Sequence, residues 1–242
     1  MGVPDFAADA RHIMDVVLAG GVTINPGDLG YGMLTASPAA AEKAFTAKQR
    51  AAHKRHGTLG SADIRREVAL LDRRANEMID AITVDFDLPL AAVAPVRTDH
   101  PWIQSIDPDT FRGASVEGTV ALIHNNGRLL DELARLSFEQ NVALVGSSAN
   151  MTGTGTKYRL EDIEPAVLES ADLATDYGLC KYHLYAPRSS TMINFATMTV
   201  IRIGVGYELI SNILSRYFGF ECPPDPGFDA LPLGHLWQPA AV

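Results

Sequence analysis

Four consecutive apolar residues, Val142-Ala-Leu-Val145, run straight into Gly146-Ser-Ser-Ala-Asn-Met-Thr-Gly153, and this change of character constrains the chain more than any other stretch. An apolar run of that length suits a strand covered on both faces, and Gly146 marks where the backbone must bend or be closely approached. Ser147, Ser148, Asn150 and Thr152 then offer hydroxyls and an amide on a rigid support, the usual construction of a binding loop. The same residue types also favour plain turns, so the stretch alone is equally an ordinary strand-to-helix turn.

The 242 residues suffice for one large α/β domain, or a domain with an appendage, and 47% hydrophobic against 20% charged residues is ordinary for a soluble globular protein. The expected division is a nucleotide-binding catalytic domain over residues 1–206, followed by a C-terminal helix and Pro/Gly-rich tail over 207–242. No apolar run approaches a membrane span and the N-terminus has no basic region followed by an apolar core, which makes a cytoplasmic protein the expectation. Two cysteines, Cys180 and Cys222, cannot by themselves build a disulfide framework or a zinc site.

The net charge of −9 argues against a whole-surface nucleic-acid binder, but the charge is uneven. From Lys43 to Arg74 nine Lys/Arg face three Asp/Glu, so this window carries +6 and the remainder −15. A basic patch on an acidic body suits a compact polyanion such as a nucleotide triphosphate better than a long duplex. A solvated helix face explains the arginines after Ser61 equally well.

Ala10, Ile13, Met14, Val17 and Leu18 give an N-terminal amphipathic helix ended by Gly20-Gly21, and Val22 to Asn25 reads as a short strand. Pro26-Gly-Asp-Leu-Gly-Tyr-Gly-Met33 follows as a glycine-rich loop able to bring backbone amides close to a ligand. Ser37-Pro38 opens a helix that runs into Lys48-Gln49-Arg50 and His53-Lys54-Arg55-His56. Ile64, Val68, Leu71, Ala75, Met78 and Ile82 predict one long helix from Ser61. Strands are expected at Leu90–Val96 and Gly118–His124, and a helix over Gly127–Phe138 precedes the opening stretch. Further on, Leu160–Leu168 reads as a helix, Asp172–Gly178 as strand and turn, Ser190–Phe195 and Thr199–Gly204 as strands, and Tyr207–Phe218 as a last helix.

Ser148-Ala-Asn-Met-Thr-Gly153 resembles the Ser-Ala-Asn-x-Ser/Thr-Gly loop of the YrdC-like family, whose best-known members are threonylcarbamoyl-AMP synthases. Further pieces of that family's pattern recur in order. Pro26, Asp28, Tyr31 and Gly32 match its Pro-Thr-Asp-Thr-x-Tyr-Gly-Leu segment, with Gly27 and Leu29 in place of both threonines. Lys48 and Arg50 match a Lys-x-Arg pair, Ser190-Thr191 a Ser-Thr-Val-Val-Asp strand, and Arg202 a Leu-Arg-x-Gly ending. The family's proline-rich segment is not recognisable between Asp85 and Pro108, and Ile123-His124 stand where it usually has an arginine.

The resemblance implies an α/β fold, a twisted mixed sheet with helices around a positively charged cavity. It also implies a reaction joining threonine, bicarbonate and ATP, with Mg2+, into threonylcarbamoyl-AMP and pyrophosphate for a tRNA-modifying partner. Lys48, Arg50 and Arg202 are the cationic candidates, since a triphosphate needs cations that stay charged. Asp28, Tyr31, Ser148, Asn150, Ser190 and Thr191 are the candidate nucleotide-binding residues. An arginine in an apolar strand needs an anion or a carboxylate, so Arg202 is expected to meet one. Two other readings stand beside this one: a divergent enzyme that carbamoyl-adenylates another amine or uses carbamoyl phosphate, and a non-catalytic nucleotide- or RNA-binding module built on the basic window.

Overall fold

The computed structural model describes residues 3–49 and 55–236. Helix α1 (Phe6–Leu18) starts where Asp5 accepts the Ala8 N–H, and it buries the Ala10, Ile13, Met14, Val17 stripe that its sequence spacing predicts. Strands β1 (Thr23–Gly27) and β2 (Gly30–Thr35) form a tight antiparallel hairpin in which Gly27 opposes Gly30. The glycine-rich segment expected to be loop is therefore largely strand. Gly30, at φ +111°, makes the turn possible. Ser37 caps α2 (Pro38–Ala47) as expected, and β3 (Gly57–Leu59) follows without a sequence forecast.

The long helix foreseen from Ser61 to Ile82 is two helices. Helix α3 (Ala62–Val68) stops because the backbone of Ala69 and Leu70 pairs with Val96 and Pro95, and Asp72 caps α4 (Arg73–Asp80) through the Ala75 N–H at 2.7 Å. A π-helical turn, Ala81–Asp85, completes α4. The apolar spacing misled because its two halves bury into different cores: Ile64 and Val68 into one, Ala75, Met78 and Ile82 into another.

Strand β4 (Leu90–Pro95) precedes α5 (Pro101–Gln104), α6 (Pro108–Ala114), β5 (Ser115–Val116) and β6 (Thr119–His124). Helix α7 (Arg128–Glu139) leads to β7 (Val145–Ser148). The apolar run enters the sheet only at its last residue, because the N–H groups of Val142 and Ala143 are taken by the Ser137 carbonyl and the Ser105 hydroxyl. The expected helix over Leu160–Leu168 is a 3₁₀ turn, Leu160–Asp162, and a short α8 (Pro165–Leu168), since the residue before a proline is pushed to extended backbone. Strands β8 (Leu173–Ala174), β9 (Met192–Asn194) and β10 (Thr199–Arg202) and helix α9 (Tyr207–Phe218) follow.

Among the described residues all ten strands join one mixed sheet in the order β10-β9-β4-β6-β3-β7-β2-β1-β8, with β5 beside β6. The pairs β3/β6, β4/β9 and β1/β8 are parallel and the rest antiparallel. Along β6, Val120, Leu122 and His124 are buried while Thr119, Ala121 and Ile123 are half-buried, so one face meets the core and the other is more open. Fully covered aliphatics such as Leu122, Leu133 and Leu144 each contribute roughly 1.5–3 kcal/mol. Helix α9 buries Ile210, Ile213 and Leu214 in the second core. The chain beyond it returns along β10, where Ile203 N–H donates to Gly234 O at 2.8 Å and Leu236 N–H to Ile201 O at 3.1 Å. No helix among the described residues is long and apolar enough to cross a membrane.

Candidate functional site

Lys48 is the C-cap of α2 and is 1% exposed. Its Nζ donates to the Ser147 hydroxyl at 2.5 Å and to the Ser148 carbonyl, and its own carbonyl accepts from Thr152 N–H at 3.1 Å. A buried ammonium is tolerated only when its protons are taken up, and here the end of β7 takes them. Lys48 and Ser148, 100 residues apart in sequence, thus meet. Arg50, His53 and Lys54 lie outside the described residues. Arg55 reaches the Arg112 carbonyl at 3.4 Å, and His56 stacks on Phe45 with centroids 3.8 Å apart while its N–H bonds Gly113 O. His56 is therefore packed between α2 and α6.

Gly146 is needed at the end of the apolar run, because a Cβ there would lie 2.1 Å from Met33 O. Ser148 pairs with Gly32 across the sheet, and Ala149 N–H bonds Tyr31 O. Asn150 is 5% exposed; its Nδ2 donates to Met151 O at 2.6 Å, while its Oδ1 has no hydrogen-bond partner among the described residues. An amide oxygen buried in this way is a ready acceptor for a ligand hydroxyl or N–H.

Asp28 sits on the β1–β2 turn and pairs with Lys181 at 3.2 Å. Asn126 holds that turn, its carbonyl accepting Asp28 N–H at 2.9 Å and its Oδ1 accepting Leu29 N–H at 2.8 Å. Tyr31 is buried and its hydroxyl donates to Asp176 at 2.6 Å, beside Gly178 O at 2.9 Å. Burial first, and then Asp176, pushes the Tyr31 hydroxyl above its usual range. It stands as a fixed post at the start of β2.

Arg202, at the end of β10, donates Nε to Ser190 O at 2.8 Å and Nη2 to Ser190 Oγ at 2.7 Å. No carboxylate pairs with it among the described residues. Desolvation pulls its pKa down to about 10, with Tyr158 the one group opposing the shift. Of the two partners expected for this arginine, the carboxylate is absent among the described residues. Thr191 uses its hydroxyl within the fold, donating to Val205 O at 3.0 Å and accepting Gly204 N–H at 3.2 Å.

The position where the sequence resemblance expects an arginine is occupied differently. Ile123 faces the more open side of β6, and His124 the core. Burial, and then the nearby Arg65, pulls the His124 pKa down to about 3, and neither ring nitrogen has a hydrogen-bond partner among the described residues. Arg65 is fully buried on Asn76 and on Asp80, the latter at 2.5 Å. Asn126, Glu164 and Arg188 were not singled out in the sequence. Their partners lie 7 to 98 residues away, and only the adjacent Asn-Asn-Gly and Glu-Pro turns hint at them. A surface depression of about 420 Å3 lined by Tyr158, Arg159 and His183 contains none of Lys48, Ser148, Asn150, Ser190 or Arg202.

The sequence matches no protein-family model, and no curated protein matches it. Solved structures do match. A hypothetical protein, smu.1377c, from Streptococcus mutans UA159 superposes with a TM-score of 0.69 at 19% identity, over 87% of this chain and 92% of that one. Sua5 from P. abyssi, in complex with L-threonine, gives 0.68 at 18% identity over 86% and 58%. This is the YrdC-like fold. YciO from E. coli gives 0.61 at 17% identity over 83% and 91%. The chain spans 58% of the Sua5 chain. At these identities the likeness is one of fold, and the YrdC-like twisted mixed sheet is the one the sequence resemblance implied.

Proposed function

We propose that this YrdC-like chain is an ATP-dependent nucleotidyltransferase of the threonylcarbamoyl-AMP synthase type. The observation that carries the reading is Arg202: a half-buried guanidinium held in place by Ser190, with no carboxylate among the described residues to neutralise it. Burying such a charge is costly unless an anion completes the site, and a nucleotide phosphate is an anion of the right kind. Lys48, at the C-cap of α2 and bonded to the end of β7, adds a second fixed cation, and Asn150 Oδ1 a buried acceptor for a ribose hydroxyl or the base. These groups fit a nucleotide. No three His, Cys, Asp or Glu side chains cluster to hold a metal ion among the described residues, so Mg2+ is proposed to arrive on the nucleotide phosphates.

In the proposed reaction the threonine amine adds to carbon dioxide from bicarbonate and loses a proton, giving a carbamate. A carbamate oxygen attacks the α-phosphorus of ATP, the bond to the bridging oxygen breaks, and pyrophosphate leaves with the electron pair. Lys48 and Arg202 would hold the two anions against their mutual repulsion and stabilise charge growing on the leaving group. The product would be handed to a tRNA-modifying partner. The L-threonine complex of P. abyssi Sua5 supports threonine as the amine.

A second reading is favoured by one feature. Gly27 and Leu29 replace the two threonines of the family segment, and the Asn126 amide fills the space over Gly27. This would suit a relative that carbamoyl-adenylates a different amine. The deciding experiment supplies ATP, bicarbonate and Mg2+ with threonine or other amines and identifies the adenylate by mass. Threonylcarbamoyl-AMP is the expected product; an adduct of another amine only would establish the second reading, and no adenylate with any amine would remove both.

A further inference from the structure

Glu164 stands at the N-cap position of α8 but caps nothing there. Its extended backbone, φ −59° and ψ 136°, instead sends the carboxylate back to the loop that leaves β7. Oε2 accepts Met151 N–H at 3.1 Å, and Oε1 accepts the Thr154 hydroxyl at 2.9 Å and Lys157 Nζ at 2.9 Å. Burial pushes this carboxyl up, but the bonds from Lys157, the backbone and Thr154 outweigh it and hold the pKa at about 2.

The segment tied down in this way touches both halves of the site. Met151 follows Asn150 directly. Lys157 O accepts Tyr31 N–H at 2.9 Å at the start of β2, Thr156 N–H donates to Pro187 O at 3.0 Å, and the Tyr158 hydroxyl donates to Arg188 O at 2.7 Å, two residues before Ser190. The fit is close enough to require glycine on both sides: a Cβ on Gly30 would lie 2.3 Å from Thr156 Cγ2, and one on Gly155 would lie 2.3 Å from Pro187 Cβ. Thr154-Gly-Thr-Lys157 is thus a wedge between the Lys48–Ser148–Asn150 group and the Ser190–Arg202 group.

We propose that Glu164 is a positioning residue of the nucleotide site, fixing Asn150 through Met151 and setting its spacing from Ser190 and Arg202 through the 154–158 wedge. It rests on the nucleotide-binding reading above. Glu164 touches no substrate; it acts by holding the loop in the geometry the phosphates and ribose meet.

The test uses the full chain carrying Glu164→Gln, Glu164→Ala or Lys157→Met. MgATP affinity is measured by calorimetry, exchange of the Met151 and Thr154 amides by NMR, and the melting temperature alongside. Glutamine can keep its one carbonyl oxygen on the Met151 N–H and turn its NH2 to the Thr154 hydroxyl oxygen, so Glu164→Gln and Lys157→Met should stay within about 3-fold of wild type in affinity. Glu164→Ala should bind MgATP about 10-fold more weakly and exchange the Met151 amide at least about 10-fold faster, as loss of one hydrogen bond to a charged group entails. Alanine matching wild type in affinity and exchange would overturn the proposal, as would glutamine as weak as alanine, or a lower melting temperature with unchanged affinity. If the wild type binds no MgATP, the nucleotide reading itself fails; unchanged exchange at Met151 in Glu164→Ala would then overturn the clamp and faster exchange would uphold it.

Discussion

The Asn126 carboxamide stands 2.7 Å from the point where a Cβ on Gly27 would lie, with Leu130 Cδ1 at 2.8 Å on the same spot. The same amide receives Leu29 N–H, so the two departures from the family segment, at residues 27 and 29, are both accommodated by one side chain on the β6–α7 connection.

Threonine at residue 27 should therefore be rejected by packing. Gly27→Thr is expected to cost about 1–3 kcal/mol as an overpacked site. Asn126→Ala should cost about 1 kcal/mol for the lost bond to Leu29. In urea titrations the double variant should be less destabilised than the two singles together, because alanine frees the space that threonine needs. Additive energies would show that the two positions do not compete.

His124 gives the protein a pH dependence with a definite sign. Its folded pKa, about 3, lies below the unfolded value near 6.5, so the unfolded chain takes up a proton first and stability falls as pH drops below about 6.5. Between pH 7 and pH 5 this amounts to about 2 kcal/mol. His124→Leu should flatten the slope and, since neither ring nitrogen is bonded among the described residues, raise rather than lower the stability at pH 5. Denaturation midpoints at pH 7, 6 and 5 test this; an unchanged slope would contradict it.

Arg188 and Asp225 tie the returning C-terminal segment to the stretch before β9 that carries Ser190. The guanidinium, 2% exposed, meets Asp225 at 2.6 and 3.1 Å and Leu231 O at 3.0 Å, with the Phe228 ring 4.0 Å away. Asp225→Asn leaves that charge uncompensated and should cost about 3 kcal/mol. The hydrogen bond from Arg188 lowers the Asp225 pKa, so this stability is present above the unfolded carboxylate pKa near 4 and is lost as pH falls below it. Thermal melts of the wild type and Asp225→Asn should differ at pH 7 and converge toward pH 3.

Elements set by nearby residues were legible in the sequence. Apolar spacing with the Gly20-Gly21 stop announces α1, Ser37 announces α2, and local patterning gives α7 and α9. Strands β2 and β3 were not, because glycines and a three-residue length leave no local signal and pairing with β7 and β6 makes them strands. The break between α3 and α4 was hidden since its cause, Val96 pairing with Ala69, lies far along the chain. The site shows the same division. Lys48, Ser148 and Asn150 lie in recognisable motifs, whereas Asn126, Glu164 and Arg188 earn their roles from residues that only the fold brings near.

Arg202 separates function from stability. Replacing this half-buried cation, which pairs with no carboxylate among the described residues, by Met should raise the melting temperature of the ligand-free protein while weakening MgATP at least about 10-fold. Ser190→Ala, which removes one of the bonds orienting the guanidinium, should weaken it by about 3-fold. A variant that loses stability but keeps nucleotide affinity would mark Arg202 as a structural residue.

The most direct measurement is a calorimetric titration of MgATP into the wild-type protein, Lys48→Ala and Arg202→Met. Saturable one-to-one binding with Kd in the range of about 1–100 μM, lost by at least about 10-fold in either variant, is the expected result. The absence of binding to the folded wild type, or equal affinity in all three proteins, would contradict the assignment of this site to a nucleotide.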